Sequence, residues 1–301
     1  MAYYSERQRG PKPRIEETII AALWKSIVLV IERFVTANYF VNSFPVGCYD
    51  NQALVVGTNT DKLKETIEAE IPGLTWPLPT RQHLDYSFQE TVPDGFLSLD
   101  IIEFAFHYAA KPIADGYHSF FSHDHLRFDE GAGRTEFRTA INEVFARYGS
   151  VYQLEANGQV VRLTTAVLQE TLTNTLFQTG DDDLDGMLEN ARAKFFNPDP
   201  TVRKEGLELL WDAFERVKTV EAGKDKKAQV AALIDKASTD LNFRKILDDE
   251  GTTLTRIGND FMIRHKETNK IPITESEHVD YLFHRMFAFI RLVLRMSGRG
   301  G

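Results

Sequence analysis

Residues 252–270 read TTLTRIGNDFMIRHKETNK and are followed by an amphipathic run from Val279 to Met296, a pattern that makes the C-terminal part of the chain helical. At ~100° per residue, Leu254, Ile257, Gly258, Phe261 and His265 share one stripe of a helix expected over Leu254–His265, with Arg264 at its border. In the final helix Val279, Leu282, Phe283, Met286, Ile290, Val293 and Leu294 form a wide apolar face. Tyr281, His284, Arg285, Arg291 and Arg295 lie opposite it. Arginine can grip a phosphodiester through two parallel hydrogen bonds, and a histidine titrating near neutrality can move protons. The bland use of the same residues is a solvated helix side with a satisfied core histidine.

Toward the N-terminus the helical pattern continues. Arg203–Glu221 carries Leu207, Leu210, Trp211, Phe214 and Val217 at spacings of three and four, and GKDKK separates it from a helix over Ala228–Lys245. Leu184–Phe196 reads as a further helix, ended by Asn197-Pro198-Asp199-Pro200, where Pro200 suits a first helical position. The run GDDDLDG over 180–186 is a polar junction whose carboxylates suit a helix cap. A magnesium site is the sharper reading of these aspartates and requires a fold that makes them converge.

The first part of the chain is more mixed. A long helix is expected over Ile15–Asn38 around SIVLVI; then ALVVGTNTDKLKETIEAEIPG reads as strand, loop and a helix capped by Thr60 or Asp61, without the glycine spacing and lysine of a phosphate-binding loop. Pro72, Pro77 and Pro79 mark a sub-boundary near 80. Phe96–Ala110 is a helix stopped by Lys111-Pro112, and a polar loop with Asp129, Glu130, Gly131 and Gly133 leads into a helix over Thr135–Arg147. VYQLEANGQVVRLT contains two alternating runs joined by Asn157-Gly158, the signature of a β-hairpin over 151–163. His118, His123, Asp124 and His125 lie within YHSFFSHDHLRFDEG, where the HxH spacing offers zinc two imidazoles; without further ligands at characteristic spacing it reads as a polar loop, and no metal or cofactor is expected.

Composition bounds these readings. A 301-residue chain with 43% hydrophobic residues can bury two cores, and a net charge of -9 confines any polyanion site to a local patch. The single cysteine, Cys48, excludes an intrachain disulfide and fits a reducing cytoplasm. Glu16, Glu17, Lys25, Glu32 and Arg33 interrupt the apolar stretch from Ile15 to Val41, so no membrane span is expected. The expected fold is mainly α, of the α+β kind. It has an N-terminal helical region over 1–178, with a small β element and the hairpin, and a helical bundle over 183–297.

Three segments carry a family resemblance. LTRIGNDFMIRHKETNK, HVDYLFHRMFAFIRLVL and VRKEGLELLWDAFERVKT resemble the C-terminal HEPN-type domain of prokaryotic defence proteins related to the abortive-infection protein AbiJ. YSERQRG followed by the LWKSI helix is similar to one class of N-terminal domain in the same proteins. The resemblance implies a HEPN-like bundle that forms a homodimer, with RNA as substrate of a metal-independent endoribonuclease and a phage trigger or regulatory protein as further partner. The motif of such domains is an arginine, an adjacent polar residue and a histidine four to six residues on. Arg264 and His265 match the first two; Asn269, Lys270 and Ile271 stand where the histidine belongs, and the next histidine is His278. The implied catalytic set is Arg264, His265, Glu267 and His284, with Lys266, Arg285, Arg291 and Arg295 contacting nucleic acid. The alternative is a noncatalytic dimerising or RNA-binding protein whose N-terminal region binds a partner or nucleic acid.

Overall fold

The computed structural model describes residues 4, 8, 10, 12–84, 87–163, 172, 175–263 and 270–299. The fold is mainly α with small two-stranded sheets. The chain divides into two units, residues 1–163 and 164–301, each with its own hydrophobic core.

In the first unit, α1 (Ala21–Thr36) begins six residues later than the apolar pattern predicts. The backbone before it is used otherwise: Ile15 and Glu16 donate to the Gly149 carbonyl at 2.9 Å, Val151 donates back to Glu16 at 3.0 Å, and Arg14 reaches the carbonyls of Ser150 and Tyr152. After α1 come the hairpin β1 (Pro45–Gly47) and β2 (Val55–Thr58), then α2 (Thr60–Glu70). The cap of α2 is Asn59, whose side chain accepts from the Lys62 amide at 3.0 Å, so neither Thr60 nor Asp61 fills that position.

The second hairpin is β3 (Arg81–Leu84) and β4 (Ser87–Glu90), followed by α3 (Gly95–Tyr108). The region expected to be a loop around the HDH sequence is instead a third hairpin, β5 (Lys111–His118) and β6 (His123–Asp129). The expected polar loop that follows is the first turn of α4 (Glu130–Tyr148), because Asp129 caps it by accepting from the Ala132 amide at 2.9 Å. The Asn157-Gly158 hairpin is present as β7 (Tyr152–Leu154) and β8 (Val160–Arg162). The core of this unit packs α1 through Trp24, Ile27, Ile31 and Phe34 against Phe137, Ile141 and Phe145 of α4 and Ile101 and Ile102 of α3.

The second unit is helical. It contains α5 (Asp182–Phe195), α6 (Pro200–Val217), α7 (Lys226–Ala237), α8 (Leu241–Asp260) and α9 (Ser276–Met296). Aspartates set the starts: Asp181, Asp199, Asp225 and Asp240 each accept from an amide of the first turn of α5, α6, α7 and α8. Of the polar-junction aspartates, Asp181 and Asp183 meet at the Arg216 guanidinium, Asp181 in a two-pronged pair, while Asp185 accepts from the amide and hydroxyl of Thr179.

The helix boundaries between α7 and α9 differ most from the sequence pattern. The helix expected over Ala228–Lys245 breaks at Ser238 and restarts at Leu241, since Asp240 offers a cap there. The restarted helix then runs through Gly251 and Thr252 to Asp260, and Phe261 leaves it in extended conformation to bridge Ile271. α9 packs across α6 and α7 with Phe283, Met286, Ile290 and Val293 inward. None of the described helices is long and apolar enough to cross a membrane.

Candidate functional site

The α9 face opposite the core holds the sequence-predicted residues that the structure describes. Phe283 stacks on Phe195 of α5 with ring centroids 3.8 Å apart, and His284, the next residue, meets Phe195 edge to face at 5.2 Å. The imidazole is thereby fixed on an aromatic floor at the mouth of a cavity of about 290 Å³. Leu172, His284, Phe287, Arg291 and Arg295 line it, and the two arginines are exposed. Neither arginine makes an ion pair with any described residue, so both guanidinium groups are available to an anion at this cavity.

Arg285 has a different setting. It donates to both carboxylate oxygens of Glu250 on α8, at 2.7 and 2.8 Å, and that pairing raises its already high pKa. The apolar-versus-polar division of α9 is as its sequence pattern predicts, but the polar side splits into a strut (Arg285) and an open face (His284, Arg291, Arg295). Arg264, His265, Lys266 and Glu267 lie outside the described residues. The helix expected to carry Arg264 and His265 ends at Asp260. A second cavity in this unit, about 580 Å³ between α6, α7 and α8, is lined by lysines, Asp235, Asp248 and apolar walls, and none of the sequence-predicted site residues lies in it.

A second constellation lies in the first unit, and sequence spacing gives only part of it. His123 and His125 stand two apart on β6, so the period of a strand puts both rings on one face, and His118 of β5 is the cross-strand partner of His123. The three ring centroids form a nearly regular triangle with sides of 5.4, 5.5 and 5.5 Å. Cys48, directly after β1 and 1% exposed, completes the group: one ligand atom from each of the four residues lies within 4.8 Å of all the others. The chain reaches this place through a bulge at Gly47, where a β-carbon would meet the Gln52 side chain at 2.5 Å.

No curated protein and no solved structure matches the chain. The model of AbiJ N-terminal domain 4 matches residues 2–178, a span that includes all of the Cys48 and histidine constellation. That match covers more than half of the 301 residues, and the chain belongs to the AbiJ N-terminal domain 4 family.

Proposed function

We propose that the chain is an abortive-infection defence protein whose C-terminal unit acts on RNA as a HEPN-type dimer, cutting the strand without a metal ion. Membership of residues 2–178 in an AbiJ-type family supports the defence role. The observation that carries the RNA reading is one imidazole, His284, beside two guanidinium groups, Arg291 and Arg295, at a single cavity.

The chemistry such a face supports is internal transesterification. A base removes the proton of a ribose 2′-hydroxyl; O2′ bonds to the adjacent phosphorus, and the P–O5′ bond breaks. The products are a 2′,3′-cyclic phosphate and a 5′-hydroxyl. His284, with His265 as the other imidazole, moves the protons. Arg264, Arg291 and Arg295 hold the negative charge that builds on the phosphorane, and Glu267 orients an imidazole. A two-fold dimer doubles each group at its axis, which supplies the separate base and acid that the reaction needs. Lys266 adds a cation for the strand.

A noncatalytic reading is favoured by one observation: Asn269, Lys270 and Ile271 stand where the family motif has histidine. Cells expressing the wild type, His284→Ala or the double variant Arg291→Ala/Arg295→Ala, challenged with phage, separate the two. The wild type is expected to suppress phage release, and both variants to lose that protection. Protection retained by His284→Ala but lost in the arginine variant would establish binding without cleavage. Protection retained by both would remove this face from the function.

A further inference from the structure

We propose that Cys48, His118, His123 and His125 bind zinc, and that the ion clamps the β1–β2 hairpin to the β5–β6 hairpin. A thiolate ~2.3 Å and an imidazole nitrogen ~2.0 Å from a tetrahedral zinc lie ~3.5 Å apart. Cys48 Sγ is 3.4 Å from His118 Nδ1. The other two rings supply the independent observation. His123 Nε2 and His125 Nε2 are buried and have no hydrogen-bond partner among the described residues. Two buried nitrogens without partners are costly, and the ring-to-ring packing of the cluster leaves them so. A cation at the centre of the triangle satisfies both.

The donor set selects the ion. One thiolate and three imidazoles suit zinc, whereas magnesium and calcium require oxygen ligands. Asp50 Oδ2 lies 3.5 Å from His118 Nε2, on the far side of the ring from the cysteine, where a carboxylate orients the imidazole and leaves Nδ1 to the metal. Four protein donors close the coordination shell, so the site holds structure and performs no hydrolysis. Binding releases the thiol proton of Cys48 to solvent and leaves the imidazoles neutral. β2 packs beside β6, and the clamp fixes the β5–β6 tip, from which Tyr117 and Phe120 project into solvent.

The test uses the full chain, free of any tag and purified without chelator. Elemental analysis is expected to find one zinc per chain. After chelation and reloading with cobalt(II), a thiolate-to-cobalt charge-transfer band and the intense visible bands of a tetrahedral ion are expected. Cys48→Ser should lose the first band, and the melting temperature should fall on chelation and recover with zinc. The wild-type spectrum decides the matter even where a variant fails to fold: folded protein with no thiolate band overturns the proposal. So does melting that is identical with and without zinc. The RNA reading stands or falls separately, because no ligand of this site lies in the C-terminal unit.

Discussion

Arg285 and Arg291 stand under about two turns apart on α9, and one formal charge each gives them opposite tasks. The Arg285 guanidinium is half-buried and held by two hydrogen bonds to Glu250 across the gap to α8. Arg285→Ala is expected to lower stability by about 1 kcal/mol, the range of a partly screened two-pronged pair, with RNA affinity kept. Arg291→Ala, exposed and without a described partner, should do the reverse: weaker RNA binding with a shallower dependence on salt, because one fewer phosphate is neutralised, and an unchanged melt. Paired melts and RNA titrations of the two variants check this. His284→Ala, if the imidazole transfers a proton, should slow cleavage by about 10²- to 10⁴-fold while the RNA still binds.

Within the elements, α8 tests how packing overrides local pattern. A β-carbon at Gly258 would press on the Trp211 indole, at 2.5 Å from Cδ1, and Trp211 Nε1 donates to the Leu254 carbonyl at 3.2 Å. Gly258→Ala should therefore push the indole from its hydrogen bond and cost about 1–3 kcal/mol, read as a lower denaturant midpoint. The glycine is legible in sequence only as a helix-weakening residue, since the partner that requires it is 47 positions away, at Trp211. Local signals served best where their chemistry is local. Asn157-Gly158 marks its hairpin, Asp199-Pro200 its helix start, and the 3.6-residue period of α9 its buried face. They served worst where the decisive partner is remote. The stretch between the helices expected over Ala228–Lys245 and Leu254–His265 is itself helical, and α8 passes through it with Gly251 packed beneath Phe289 of α9. The HDH run reads as a loop with two imidazoles, because neither its strand partner nor Cys48 is adjacent in sequence.

At the scale of the molecule, two separate cores make the C-terminal unit's response to acid a matter of its own carboxylates. Arg216 beside Asp181, and Lys236 and Arg299 around the buried Glu221, hold both acids below their ordinary range. Depressed folded-state values mean that this stabilisation is complete above the unfolded carboxylate pKa of ~4, ebbs below it, and is gone once the pH falls through the folded values. With Trp24 and Trp76 replaced by phenylalanine, Trp211 fluorescence should report a denaturant midpoint that is flat near neutrality and declines only below that point; Glu221→Gln should lower the neutral value and flatten the decline. The function claimed for this unit is tested most directly by incubating purified wild type and Arg291→Ala/Arg295→Ala with transfer RNA, in buffer without magnesium or chelator. The expected result is shortened RNA bearing 2′,3′-cyclic phosphate ends with the wild type and intact, weakly held RNA with the variant. A folded wild type that neither binds nor cuts RNA, or a variant indistinguishable from it, would contradict the role assigned to the α9 face.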